Sequence, residues 1–384
     1  MARLGDVCEV INGFAFKSEQ YVDSGIRIIR IANVQKGYLE DAAPVFYPSE
    51  SKEAKKYSLV EDDILMSLTG NVGRVAKLSR EFLPAALNQR VACLRIKDGV
   101  DIDKAFLFNL LNSDYFEQQC ISASKGVAQK NMSTEWLKEY EIPIFSLERQ
   151  RLIAGILDKT TELISLRKQQ LAKLDELVKS QFVEMFGTPE SVMNSSHTIA
   201  EVADVQVGIV IKPTRYYADG NEGIKAFRSL NIGPMYIKDD DWVYFTEEAM
   251  KETQRTVAHT DDILVVRSGS PGTSCVVPLE YDGCNVIDLI IAHPNKEKVL
   301  PKYLCAFTNM PHGMNQINSQ QRGVAQKHFN VGMYKDLRLI LPSLDEQKQF
   351  VDFLEQSDKS KFAVQQSIEK LETLKKSLMQ QYFG

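Results

Sequence analysis

Residues 124–133 read SKGVAQKNMS, and residues 321–330 read QRGVAQKHFN. The shared GVAQK recurs 197 positions apart, at 126–130 and 323–327, and the same offset carries more than a pentapeptide. SLERQ at 146–150 meets SLDEQ at 343–347, and MFG at 185–187 meets YFG at 382–384. With a residue or two of drift, as short loop insertions produce, DDIL at 62–65 faces DDIL at 261–264. Each is followed by an apolar stretch and a glycine turn, SLTGNVGRV in one copy and VRSGSPGTSC in the other. GIRIIRIANV at 25–34 faces GIKAFRSLNI at 223–232, which sets Arg30 on Arg228 and Asn33 on Asn231. LGDVCEVING at 4–13 shares its pattern with IAEVADVQVG at 199–208. The chain reads as a tandem duplication with copies of about 187 and 197 residues. Solenoid repeats run roughly 20 to 50 residues, so each copy is a whole domain with something attached.

The first part of each copy reads as mixed α/β. IRIIRIANV, DDILMSL, RVAKL and RVACLRI are rich in Val, Ile and Leu and bounded by Gly, Asp and Asn, as strands are. DIDKAFLFNLLNSDYFEQQCISA (101–123) keeps helical spacing at Phe106, Leu110, Leu111 and Phe116, and LPKYLCAFTNMPHGMNQINSQ answers it in the second copy.

The last part of each copy predicts one long helix. From 147 to 186 there is no proline, and Ile153, Leu157, Thr160, Ile164, Arg167, Leu171, Leu174, Val178, Gln181 and Met185 follow steps of four and three. Phe350, Leu354, Ser357, Lys361, Val364, Ile368, Leu371, Lys375, Leu378 and Tyr382 repeat the series. This is the seam of a coiled coil with polar interruptions. Ser146 and Ser343 stand at the N-cap positions, with acidic residues in the first turn. Gly187 and Gly384 stand where an αL cap is expected, with Pro189 beyond the first. The expected divisions are 1–145, a central helical region at 146–188, a second globular part at 189–342 and a C-terminal helical region at 343–384. An antiparallel pairing of the helices would set the globular parts at opposite ends of a rod with approximate two-fold symmetry. The alternative is a surface helix packed on its own domain.

Composition excludes several classes. A chain of 384 residues, 44% hydrophobic and 25% charged, is ordinary folded material for two domains. No apolar run approaches the roughly 20 residues of a membrane span, and MARLGDVCEV lacks the apolar core of a signal peptide, so a cytoplasmic protein is expected. Six cysteines without a CxxC pair fit neither a disulfide framework nor a zinc ribbon, and five histidines show no metal-binding spacing. There is no phosphate-binding GxxxxGK[ST] loop, and GNVG and GSPG read as tight turns rather than dinucleotide sites. An aromatic Asn-Pro-Pro-Tyr type motif of amino methyltransferases is also missing. No catalytic, metal or cofactor site is expected on the chain. The net charge of −5 argues against a strong autonomous grip on nucleic acid, because Lys and Arg supply most non-specific affinity.

With its motifs in this order and given twice, the whole chain resembles the specificity subunit of type I restriction-modification systems. The segments that carry the likeness are IPIFSLERQRLIAGIL and LILPSLDEQKQFVDFL, similar to a P-x-x-x-L-x-x-Q-x-x-I pattern, with LGDVCEVINGFAFKSEQY, the DDIL strands and GVAQKNMS/GVAQKHFN. The resemblance implies two target-recognition domains, each reading one half of a bipartite double-stranded DNA target, with the helices setting the gap. It also implies a non-catalytic subunit that docks two methyltransferase subunits and, in the full complex, two restriction subunits. S-adenosylmethionine, ATP and magnesium would belong to those partners. The alternatives are a duplicated protein-interaction scaffold with a helical spacer and no DNA role, or a stand-alone nuclease or methyltransferase.

Polar and basic residues beside glycine turns are the candidates for DNA contact, since Gly admits phosphate closely, Arg takes guanine and Asn or Gln takes adenine. In the first copy these are Lys17, Arg27, Arg30, Asn33, Arg74, Asn88, Gln89, Arg90, Lys125, Gln129 and Lys130. In the second they are Lys212, Arg215, Arg228, Asn231, Arg267, Ser268, Thr273, Arg322, Gln326, Lys327 and His328. Residues identical in both copies cannot by themselves tell two half-sites apart, so phosphate contact or loop support suits Gln129, Gln326, Lys130 and Lys327. Positions that differ, such as Arg74 against Thr273, suit base reading. Arg30 and Arg228 equally fit strand residues paired with a nearby acid.

Overall fold

The computed structural model describes residues 1–124, 131–211, 213–220, 222–321 and 329–384. It divides into two units, residues 1–169 with 365–384, and residues 170–364.

Among the described residues the two larger sheets of unit 1 use seven strands: β1 (Cys8–Asn12), β2 (Ile26–Ile29), β3 (Phe46–Tyr47), β4 (Ile64–Ser67), β5 (Val75–Lys77), β6 (Ala85–Leu87) and β7 (Val91–Ile96). They form an antiparallel sheet in the order β1-β7-β4-β5 and a smaller one in the order β3-β2-β6, where β2 and β6 run parallel. Unit 2 repeats this strand for strand with β8 (Ala203–Val207), β9 (Ile224–Phe227), β10 (Val243–Phe245), β11 (Ile263–Val266), β12 (Ser274–Val276), β13 (Asn285–Val286) and β14 (Leu289–Pro294), in the orders β8-β14-β11-β12 and β10-β9-β13. Register is kept as well: Leu65 faces Ala76 in one unit and Leu264 faces Cys275 in the other. The strands β4 and β11 are buried throughout, which explains their unbroken apolar runs.

The DDIL motif now has a cause. Asp62 and Asp261 take the left-handed conformation, φ +71° and +74°, which short polar side chains tolerate. Asp63 and Asp262 are buried and accept the backbone N–H of Val60 (2.8 Å) and His259 (2.7 Å) three residues back, closing the turn into the strand.

The stretch at 101–123 is two helices, α1 (Lys104–Leu111) and α2 (Asp114–Ala123). The break is at Ser113, whose buried hydroxyl caps α2 by accepting the Phe116 N–H at 3.1 Å. Their counterparts are α4 (Pro301–Asn309) and α5 (Pro311–Gln321).

The two long helices are α3 (Leu147–Phe186) and α6 (Leu344–Phe383). Of the seam positions, all but Arg167 are buried or half-buried. The pairing is antiparallel within each unit. In unit 1 Lys168 of α3 meets Glu372 of α6 at 3.0 Å, while Ile153 and Leu157 share a core with Phe383. In unit 2 Asp175 meets Lys361 at 2.6 Å, and Phe182 packs on Phe350 at 5.0 Å between ring centroids. Gly187 ends α3 with φ +87°, as its position predicts.

The glutamines of SLERQ and SLDEQ lock each helix to its own domain. Gln150, fully buried, accepts the N–H of Asp103 at the start of α1 (2.8 Å) and donates to the carbonyls of Phe145 (2.8 Å) and Asp101 (3.2 Å). Gln347 does the same with Leu300 N–H (2.8 Å) and the carbonyls of Pro342 (3.0 Å) and Lys298 (3.1 Å). An amide whose every bond is made inside the protein is a clamp, with nothing left to offer a ligand.

Candidate nucleic-acid interface

The hairpin between β4 and β5 carries the glycine turn of unit 1. Gly70 and Gly73 have φ of +69° and +88°, a region other residues avoid. A Cβ on Gly73 would lie 2.8 Å from the Cβ of Cys120, so only glycine lets the turn rest on α2. The buried Ser67 hydroxyl donates to the Asn71 carbonyl and accepts the Arg74 N–H at 3.2 Å, bracing the turn from inside. Unit 2 builds the same turn with Gly269 and Gly272 (φ +88° and +90°), where a Cβ on Gly272 would meet Ile317 at 2.6 Å.

The chain that follows GVAQK returns to this turn. Met132 N–H bonds the Leu68 carbonyl at 2.9 Å, and Phe329 N–H bonds the Arg267 carbonyl at 3.2 Å. GVAQK itself, with the candidates Lys125, Gln129, Lys130, Arg322, Gln326, Lys327 and His328, lies outside the described residues, as does Lys212.

In unit 1 the glycine turn, the turn after β2 and the turn between β6 and β7 enclose a cleft of about 280 Å³. Ile31, Ala32, Val34, Gln35, Thr69, Gly70, Asn71, Arg74 and Arg90 line it. No acidic residue is among them. Arg74 donates through Nη1 to Gln35 Oε1 at 2.8 Å, and Gln35 is itself held by its amide bond to the Ala32 carbonyl at 3.0 Å. The Thr69 hydroxyl is buried without a hydrogen-bond partner among the described residues. Arg90 is exposed, and no described side chain pairs with its guanidinium. Gln35, Thr69 and Asn71 were absent from the candidates read in the sequence, although Thr69 and Asn71 lie in the quoted SLTGNVGRV. Gln35 had no sequence signal beyond following Asn33 by two.

The other candidates divide by their partners. Asn33 and Asn231 are buried, and each accepts the N–H of the arginine three residues before it at 2.9 Å. Each also donates to a carbonyl at 2.8 Å, Glu40 or Asp240, so both are turn supports with no amide edge for a base. Arg30 reaches the Ala43 carbonyl at 2.7 Å, and Arg228 pairs with the Asp241 carboxylate at 3.2 Å. Arg27 pairs with Asp41 at 2.5 Å between the rings of Phe46 and Phe82. Arg215 lies over the ring of Tyr216, 4.4 Å from its centroid, and bonds its hydroxyl. Lys17 and Gln89 have exposed side chains, Asn88 is half-buried, and Ser268 is engaged.

Unit 2 differs at the turn itself. Arg267 donates to Asp288 at 2.5 Å and to the Phe329 carbonyl at 3.2 Å, and its side chain is only 14% exposed. Thr273 takes the place of Arg74: its carbonyl accepts the Val266 N–H at 2.9 Å, as the Arg74 carbonyl accepts that of Ser67 at 3.0 Å.

The comparison with known families fits this duplicated geometry. The profile of the type I restriction modification DNA specificity domain matches residues 1–176 and again 223–375, one match on each copy. The chain belongs to the type I restriction-modification DNA specificity family. Similar curated relatives include the StySPI specificity subunit of Salmonella potsdam, 25% identical over 96% of this chain and 83% of its own length. The EcoKI specificity subunit of Escherichia coli strain K12 is 23% identical over the same shares. The S subunit from M. genitalium shares the fold, with a TM-score of 0.54 at 15% identity over 100% of this chain and 95% of that one. A chain solved in work on complex assembly and conformational transition of the type I system gives 0.65 at 16% identity over 100% and 96%. The mixed α/β architecture, duplicated with paired long helices, is thus the architecture of this family.

Proposed function

We propose that each unit reads one half of a bipartite duplex target, with the methylating and cleaving chemistry supplied by partner subunits. The family match makes the chain a DNA-sequence-recognition subunit of a type I restriction-modification complex. The observation that carries the half-site reading is the contrast at equivalent turns. One backbone scaffold presents Arg74 and Arg90 in unit 1, and Thr273 with a neutralised Arg267 in unit 2. A scaffold kept while its turn side chains change is what two readers of different sequences need.

In this reading two methyltransferase subunits and, in the full complex, two restriction subunits dock on the chain. S-adenosylmethionine, ATP and magnesium act on those partners, and this chain contributes no catalytic group. The cytoplasm is the proposed location; no helix among the described residues is long and apolar enough to cross a membrane. The net charge of −5 supports weak, salt-sensitive DNA binding by the isolated chain and tight binding in the complex.

Mapping N6-methyladenine in the source cell with and without the gene tests the reading. Loss of methylation at one bipartite motif is expected. An unchanged map alongside DNA-independent assembly of the chain with other proteins would favour a plain interaction scaffold.

A further inference from the structure

We infer that Arg74, positioned by Gln35, reads a guanine in the half-site contacted by unit 1, and that unit 2 carries Thr273 instead at the equivalent position. The inference rests on the half-site reading above and adds the base and the residue. Guanine offers two acceptors, N7 and O6, side by side in the major groove, and the planar guanidinium fork meets both in one fixed geometry that a flexible ammonium does not hold.

Three features favour a base over a phosphate for Arg74. The side chain is aimed: Gln35 Oε1 takes one donor of Nη1 at 2.8 Å, leaving the rest of the fork for a ligand. A phosphate contact needs no such aim. Its backbone is fixed, since the Ser67 hydroxyl bonds the Asn71 carbonyl and the Arg74 N–H while Gly73 rests against Cys120 of α2. Among the described residues that line the cleft, none carries a carboxylate to compete for the fork. Arg90, exposed on the neighbouring turn, suits the phosphate contact that a reader of one base also needs.

Unit 2 has lost both members of the pair. Thr273 replaces Arg74, and Gly233, two residues past Asn231, replaces Gln35. The turn that carries Arg90 in unit 1 carries Asp288 here, which holds Arg267 at 2.5 Å. A Thr hydroxyl makes one bond to any base edge and cannot select guanine by a fork.

The experiment uses the chain assembled with the methyltransferase of its own system, on duplexes carrying the motif found by mapping. In cells, Arg74→Ala and Arg74→Lys are each expected to broaden the motif at one guanine of one half-site, leaving the other half intact. Lys keeps the charge without the fork, so a phosphate contact would survive Arg74→Lys, and an unchanged motif in that variant overturns the inference. Gln35→Ala is expected to broaden the same position partially, and Gln35→Glu, which sets a carboxylate against the fork, to broaden it at least as much. In vitro, 7-deazaguanine removes the N7 acceptor without altering the protein. At the assigned position it should slow wild-type methylation about 5- to 150-fold, the range of one bidentate base contact. It should not slow the Arg74→Ala complex further. A wild-type complex indifferent to 7-deazaguanine at every guanine of that half-site overturns the assignment, even where the variants fail to assemble. A motif that does not depend on the gene at all would instead sink the half-site reading.

Discussion

Unit 1 closes its buried Asp63 with Arg95, at 2.6 and 2.8 Å; unit 2 closes the equivalent Asp262 with His293, at 2.6 Å. The two pairs occupy the same register, Ile64 facing Leu94 and Ile263 facing Ala292 just before the basic residue. The backbone demands of the DDIL turn are met identically, while the group that neutralises the aspartate is free to vary. The same division runs through the molecule. Positions that hold the scaffold, such as Gln150 and Gln347 or Asn33 and Asn231, are kept in both units with the same bonds. The cleft side chains Gln35 and Arg74 are not, with Gly233 and Thr273 in their places.

The largest expected effect tests whether the helix anchors are equivalent. Phe350 is fully buried against Phe182, Phe186 and Tyr303, whereas its unit 1 counterpart Ile153 is a smaller aliphatic residue in the core that holds Phe106 and Phe383. Phe350→Ala should cost about 3–5 kcal/mol and Ile153→Ala about 2–4 kcal/mol. Hydrogen exchange read separately on each unit would show each loss in its own unit. Equal losses in both units from either change would break the comparison.

The glutamine clamps come next. Gln150→Leu or Gln347→Leu leaves a buried N–H and two carbonyls without partners, for about 1–3 kcal/mol each. The two values should match, because the bonds match.

The ion pairs sharpen the contrast through pH. The Asp262 carboxylate raises the His293 pKa above its ordinary value near 6.5, against a desolvation that lowers it, with Asp204 adding to the rise. A raised folded pKa means the stabilisation is full below the unfolded value and is lost as pH rises through the folded one. Unit 2 should therefore lose stability as pH rises above the ordinary histidine value near 6.5 and through the raised folded one, while unit 1, closed by an arginine, stays flat over the same range. His293→Arg should abolish the slope. A slope that survives the change contradicts the pairing.

The smallest effect is expected at Lys168, whose pair with Glu372 is half exposed on both sides. Lys168→Ala should change stability by about 0–1 kcal/mol.

Much of this architecture was legible in the sequence because periodicity and repetition are backbone-level signals. The long helices fall at 147–186 and 344–383, and the seam read at steps of four and three is the buried one. Phe182, Phe186 and Phe383 were not in that seam, because near its C-terminal end each long helix turns aromatic residues onto the globular part of the other copy, Phe182 and Phe186 onto Tyr303 and Phe383 onto Phe106. The six cysteines are all buried and unpaired, and burial pushes the Cys8 thiol up to about 12. Site residues were harder to read. Residue type alone could not separate Asn33, spent on the Arg30 N–H and the Glu40 carbonyl, from Gln35, which aims Arg74. That distinction depends on which donors a fold has already used.

The most direct test of the central claim, that each unit reads its own half-site through its turn, is an exchange within the complex. Residues 69–74, TGNVGR, would be replaced by SGSPGT, the sequence of 268–273, and the methylated motif mapped. The account predicts a change confined to one half of the motif, with the other half and the gap preserved. A motif altered in both halves, or in neither, would contradict it.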